Sequence, residues 1–349
     1  MRGCTTVAAV PRTASLPGFV DAHCHAFQRA LRGRVAGGDF WEWRDGMIGV
    51  AESVSVAEIR REYVEVYREL RAAGYTAVGE FHYLGLDEAR AAAEAAAEAG
   101  IAFVCLYACY LRGGSARFRQ ESVAAYLREL EVLREEGIRV GVAPHSVRAC
   151  PSDALAELGR YATAHTLPFH IHADEQPREI EECLAEHGVR PIELLEREGC
   201  LTPRTTIVHA THADGGELDL LAAAGARICV CLTTEADLGD GFLPVARVQH
   251  RGIPLCIGSD SNVRIDPLEE LRELEGIGRR QTGRRGIYPV DALLGFGTAA
   301  GAAALGLTEW PNALVDLDDP QLRGVAETDR YGALLFGCSS SVLRYTLVQ

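Results

Sequence analysis

Leu16-Pro17-Gly18-Phe19-Val20-Asp21-Ala22-His23-Cys24-His25 is the stretch around which the rest of the chain is arranged. Phe19 to Ala22 is a short apolar run entered through Pro17-Gly18, the pattern of a buried strand that follows a turn. Side chains alternate along a strand, which places His23 and His25 on one side, roughly 7 Å apart. Two imidazoles in that relation can share one metal ion. Taken alone, the His-x-His pair reads equally as a polar strand end. Its meaning depends on what the chain delivers to the same place further on.

From Ser55 onward one unit recurs: an Ala/Glu/Arg-rich helical segment stops at a glycine, and an apolar strand follows. Ser55 and Glu58 make a capping box for a helix that runs to about Ala73 and stops at Gly74. A strand over 75–81 comes next. Helices over 87–99, 122–136 and 152–164 lead into strands over 101–107, 139–143 and 168–173. Further helices precede strands at 206–210, 227–232 and 254–258, and helical segments follow near 266–280 and 289–305. Counting 19–22 first, eight apolar strands alternate with helices, which indicates parallel pairing with both faces covered. Eight such units fit a (β/α)8 TIM-type barrel over 17–311. An open doubly wound sheet would more often carry a Gly-rich dinucleotide loop after its first strand, and none is present.

Composition narrows the partners. At 48% hydrophobic and 24% charged residues the chain has the make-up of a globular α/β protein, and disorder is not expected. A net charge of −14 argues against a nucleic-acid partner. No apolar run is long enough to span a membrane, and residues 1–11 are too short and interrupted for a secretory signal. The 11 cysteines form no Cys-x-x-Cys pair, and Cys105, Cys229, Cys231 and Cys256 sit in apolar strands. They read as buried small hydrophobes in a reducing compartment, so a cytoplasmic setting is expected. The sequence also contains no lysine. That removes Schiff-base chemistry, a P-loop lysine and a carbamylated lysine bridging two metals.

In such a barrel, chemistry gathers where the strands end at their C-terminal mouths. Those ends carry His23 and His25, then His82, His145, His170 and His172, His209, and finally Asp260 in Gly258-Ser259-Asp260-Ser261. Neutral imidazoles and one carboxylate suit Zn²⁺ or a similar divalent ion with a position left for water. Such an ion lowers the pKa of its water towards neutrality. Without a lysine to bridge, one metal rather than two is expected. His170 and His172 share a strand face, and spacing alone leaves open which of them is the ligand. His82 and His212 read as structural, and Cys24 as packing.

Taken together, Pro17-Gly-Phe-Val-Asp-Ala-His-x-His25, the later His172-x-x-Glu175, His209 and Ser259-Asp260 resemble the amidohydrolase superfamily. Longer pieces resemble its formimidoylglutamate deiminase family: His25-Ala-Phe-Gln28, Trp41-Glu-Trp-Arg44, Glu80-Phe-His-Tyr83, Pro144-His145-Ser-Val-Arg148 and His170-Ile-His172-Ala-Asp-Glu175-Gln. So do Val208-His209-Ala-Thr-His-Ala-Asp, Thr234-Glu-Ala-Asp-Leu-Gly-Asp240 and Gly258-Ser-Asp260-Ser. The similarity runs from about Pro17 to Glu275.

The resemblance implies a barrel of the metal-dependent amidohydrolase kind, with one zinc-like ion held by His23, His25, His172 and Asp260. It implies that His209 polarises the substrate, that Glu175 moves protons, and that Asp260 also takes part in catalysis. Gln28, Arg44, Tyr83, His145 and Arg148 would hold the amino-acid part of a formimino substrate bearing carboxylates. The reaction implied is hydrolytic deimination of N-formimino-L-glutamate, a step of histidine degradation. Two carboxylates on the substrate match bidentate arginines in an otherwise acidic protein.

The chain also departs from the family. Relatives have a longer lead before the first histidines, which builds a small β-sandwich with the C-terminal tail. Residues 1–16 and 312–349 are therefore expected to form a reduced or incomplete version of it, exposing apolar surface that favours self-association as a homodimer. Asn262 stands where relatives often have His. Two other readings compete. A deaminase of a nucleobase or related ring needs a flat apolar pocket and not two arginines. A non-catalytic barrel would ordinarily have lost a ligand or the proton carrier.

Overall fold

The computed structural model describes residues 12–34 and 37–344. A short strand, β1 (Thr13–Pro17), is followed by β2 (Phe19–Cys24), β3 (Tyr75–His82), β4 (Ala102–Cys109) and β5 (Val140–Pro144). Then come β6 (Phe169–Ala173), β7 (Thr205–His209), β8 (Arg227–Val230), β9 (Leu255–Ile257), β10 (Asn312–Asp316) and β11 (Leu343–Arg344). Strands β2 to β9 form one parallel sheet in chain order. Every residue of β2, β3, β5, β6, β7 and β9 is buried. That is why these strands read as continuous apolar runs rather than alternating ones. The strands begin and end within a few residues of where the sequence placed them.

The sheet curls until β9 lies beside β2, and backbone groups close most of the seam. At the mouth, Asp260 N donates to His23 O at 2.9 Å and His25 N donates to Asp260 O at 2.8 Å. At the other end, Val20 N donates to Gly297 O at 2.9 Å. That last contact explains a difference from the sequence reading. The single helix expected over 289–305 is two helices, Val290–Phe296 and Ala299–Ala304, broken at Gly297-Thr298. A Cβ at Gly297 would come within 2.9 Å of the Phe19 ring, so only glycine brings this carbonyl to the seam.

The Ser55 capping box forms as expected: Glu58 N donates to Ser55 Oγ at 3.3 Å, and Ser55 N donates to Glu58 Oε2 at 2.9 Å. A helix that the sequence reading had not placed, Phe40–Ser53, lies between β2 and that helix. Asp39 caps it by accepting from Trp41 N and Glu42 N.

The terminal segments meet in a separate antiparallel sheet of order β1-β10-β11. Leu16 pairs with Ala313, and Trp310 Nε1 ties the sheet to the barrel by donating to Gly18 O at 2.9 Å. Residues 1–11 and 345–349 of the expected terminal unit lie outside the described residues. All 10 cysteines among the described residues are buried and unpaired. Among those residues, no helix is long and apolar enough to cross a membrane.

Candidate metal centre and active site

β2 and the turn after it bring His23 and His25 to the mouth, β6 brings His172, and the turn after β9 brings Asp260. All four side chains are buried. The Nε2 atoms of His23 and His25 are 3.1 Å apart, those of His25 and His172 3.4 Å, and those of His172 and His23 3.1 Å. Asp260 Oδ1 lies 3.6 Å from His23 Nε2 and 3.4 Å from His25 Nε2. Donor atoms around a tetrahedral zinc at roughly 2.0–2.1 Å are separated by roughly 3.3 Å. The spacing therefore fits one divalent ion. His172 lies in this cluster, whereas His170 Nε2 faces Ala304 O at 2.9 Å.

The next layer of contacts fixes which nitrogen faces inward. His25 Nδ1 donates to Phe81 O at 2.9 Å, and His172 Nδ1 donates to His145 O at 2.9 Å. Each ring thus turns its Nε2 lone pair towards the centre. Burial holds His23, His25 and His172 below the usual histidine range, in the neutral form that binds metal. Asp21 accepts from Ser259 N at 2.9 Å and also from Ser259 Oγ, which anchors the residue before Asp260. His209 and Asp260 have positive φ, 74° and 48°. Such backbone costs about 1–3 kcal/mol for each non-glycine residue and turns their side chains over the barrel mouth.

His209 Nε2 lies 3.5 Å from Glu175 Oε1 and 3.7 Å from Asp260 Oδ2, while its Nδ1 is 3.2 Å from Glu235 Oε1. Burial alone would depress this histidine, but Glu175, Glu235 and Asp260 together push it up to about 10. Burial raises Glu175 to about 7 against the pull of His209 and Arg148, so its carboxyl can hold or release a proton near neutrality.

A pocket opens beside this cluster. Gln28, Arg44, Tyr83, His145 and Arg148 all line it, with His25, His172, Glu175, His209 and Asp260. Gln28 Nε2 donates to Tyr83 Oη at 2.8 Å, and its buried Oε1 has no hydrogen-bond partner. Arg148 Nη2 lies 3.5 Å from Glu175 Oε2. All the site residues named from the sequence therefore fall in one place. His82 does not, being held by Tyr63 Oη at 3.1 Å and Gly85 O at 2.9 Å.

The sequence reading missed the buried carboxylates of Glu235, Glu179 and Asp240, and the pocket-lining residues Phe40, Trp43 and Met47. Four of these carried a signal: Glu179 is four residues beyond Glu175, Glu235 and Asp240 lie inside the Thr234–Asp240 motif, and Trp43 inside Trp41–Arg44.

Residues 15–309 match the amidohydrolase family. The chain is 38% identical over 330 residues to the formimidoylglutamate deiminase of Pseudomonas aeruginosa, covering 84% of this chain and 72% of that protein. It is 29% identical over 347 residues to a 5-methylthioadenosine/S-adenosylhomocysteine deaminase of Halobacterium salinarum, covering 95% and 79%. Among solved structures it is similar to a zinc-bound adenosine deaminase of Xanthomonas campestris, with a TM-score of 0.84, 22% identity, and 95% and 78% coverage. An amidohydrolase of Brucella melitensis matches with a TM-score of 0.82, 30% identity, and 94% and 84% coverage. The barrel, the buried His/Asp cluster and a match spanning most of its length place this chain in the amidohydrolase family, among its deaminases.

Proposed function

We propose that this protein hydrolyses N-formimino-L-glutamate to N-formyl-L-glutamate and ammonia, with one divalent ion, most suitably Zn²⁺, held by His23, His25, His172 and Asp260. The observation that carries the reading is the convergence, in one pocket, of that ligand set with Glu175 and two arginines, Arg44 and Arg148. When bound, the ion supplies an acidified water and polarises the reacting group.

The chain's own residues do the rest. Arg148 and Arg44 bind the glutamate carboxylates, with Gln28, Tyr83 and His145 bounding the substrate between them. His209, held in place by Glu235, donates through Nε2 towards the substrate. As water oxygen bonds to the formimino carbon, its proton passes to the free oxygen of Asp260. Glu175 delivers a proton to the terminal nitrogen. The bond from carbon to that nitrogen breaks as Asp260 hands it the proton it took, ammonia leaves, and the carbon keeps the new oxygen as a formyl carbonyl whose remaining proton returns to Glu175.

A ring deaminase is the second reading, favoured by the nucleoside deaminases among the relatives. Two guanidinium groups in the pocket weigh against it, because a neutral flat ring has no carboxylate to satisfy them. The test is metal analysis of purified protein with ammonia release measured on N-formimino-L-glutamate, adenosine, guanine and cytosine. Release from the formimino acid alone is the expected result. Release confined to a ring substrate would replace this reading with the second.

A further inference from the structure

Arg148 is surrounded on three sides before any substrate arrives. Its guanidinium carbon lies 5.6 Å from the centre of the Trp41 ring. Its Nη2 edge faces Glu175 Oε2 at 3.5 Å, and its Nε faces Glu179 Oε1 at 3.6 Å. Glu179 is wholly buried on the helix Pro177–His187, and its other oxygen accepts from Glu175 N at 3.2 Å. One carboxylate thus touches both the proposed carboxylate anchor and the backbone of the proposed proton carrier. Arg148 Nε and Glu179 Oε1 are both buried without a hydrogen-bond partner, so the pair stands at ion-pair distance with room to tighten.

From this arrangement we infer that Glu179 is the positioning residue that makes Arg148 available to substrate. The inference rests on the substrate reading above. A substrate carboxylate needs the Nη edge of Arg148, which Glu175 faces in its absence. Glu179 holds the opposite, Nε side, so the guanidinium stays oriented and partly neutralised when that edge is handed over. Without the Glu179 charge, Glu175 is left, among the described residues, as the one carboxylate at ion-pair distance from Arg148, and it competes with the substrate. A buried arginine left with one carboxylate partner holds it more firmly. Nothing here gives Glu179 a proton to move or a bond to break; it acts through Arg148.

The test is a double-mutant cycle on the metal-loaded protein. Calorimetry measures L-glutamate binding to wild type, Glu179→Gln, Arg148→Met and the double variant. Ammonia release gives kcat and KM on N-formimino-L-glutamate. Glu179→Gln keeps the volume and an acceptor for Glu175 N, and Glu179→Asn, which also removes the charge, replaces it if the glutamine variant does not fold. The expected result is L-glutamate binding weaker by on the order of 10-fold, as for loss of an orienting partner at other sites. The effect should vanish in the Arg148→Met background, and KM should rise by more than kcat falls. Unchanged binding, or equal weakening with and without the Arg148 side chain, overturns the inference. A wild type that binds L-glutamate tightly but releases no ammonia from the formimino acid removes the reaction and leaves the positioning role standing. A wild type that binds no L-glutamate removes both.

Discussion

Asp260 N donates to His23 O at 2.9 Å across the seam of the barrel, so the first and last side chains of the metal cluster belong to residues joined by one backbone hydrogen bond. Closing the barrel and assembling the site are therefore the same event. The glycine two residues earlier makes it sterically feasible. A Cβ on Gly258 would sit 2.6 Å from His23 O and 2.9 Å from His23 Cβ. Gly258→Ala is expected to cost about 1–3 kcal/mol through overpacking and to weaken metal binding at the same time. Melting temperature and metal titration check it. A variant that loses stability with unchanged metal affinity would separate the seam from the site.

Metal content distinguishes the cluster from the histidines around it. His172→Ala removes one of the four donors, and affinity is expected to fall by on the order of 100-fold or more. His212→Ala, outside the cluster, should retain near-stoichiometric metal. Elemental analysis of the two proteins side by side decides the matter, and the reverse pattern would mean the ligand set is wrong.

Arg148→Met should leave metal content untouched, because guanidinium is not a ligand. Losing a buried, charge-assisted contact to a substrate carboxylate costs roughly 2–5 kcal/mol. At about 1.4 kcal/mol per tenfold, that is on the order of a 30-fold to several-thousand-fold fall in kcat/KM on N-formimino-L-glutamate. Near-normal kcat/KM in this variant would show that the anchor lies elsewhere, with Arg44 next to be tested.

His82 supplies a pH dependence that does not involve the metal. Burial lowers it from 6.5 to about 4, although Gly85 O accepts a hydrogen bond from its ring. The unfolded chain takes up a proton near pH 6.5 that the native protein refuses until about pH 4. The group's contribution is thus complete above pH 6.5 and is lost as pH falls towards 4, up to about 3 kcal/mol. Melting curves from pH 7 to 4.5 should fall more steeply for wild type than for His82→Gln. Parallel curves would exclude His82 as the cause.

Much of this was legible in the sequence, for physical reasons that also mark where it was not. The barrel strands are buried on both faces, so Val140 to Pro144 or Phe169 to Ala173 stand out without any partner in view. The histidines are few, and they fall at strand ends, so His23, His25, His172 and His209 could be read in order. Glu179 and Glu235 lie close to recognisable motif positions, but they are two of 49 acidic residues, and it is their burial that sets them apart from the solvated remainder. Likewise, nothing local says that Gly297 breaks a helix, because its reason is the Phe19 ring nearly 280 residues earlier in the chain. The helix beginning at Phe40 had its signal in Asp39, but only Phe40, Met47 and Ala51 of its 14 residues are buried, so no clear apolar stripe announced it.

The buried cysteines bear on how this protein is handled. In the folded state the 10 described thiols are buried away from oxidants, although Cys109 lies beside Cys150, and Cys229 beside Cys231 and Cys256. Unfolding releases all of them together into a chain with no native disulfide to return to. In air the exposed thiols oxidise and cross-link molecules at random, a change that refolding cannot undo. Heat inactivation without a reductant is then a one-way process governed by how fast the barrel opens, and shelf life becomes a question of rate rather than of equilibrium.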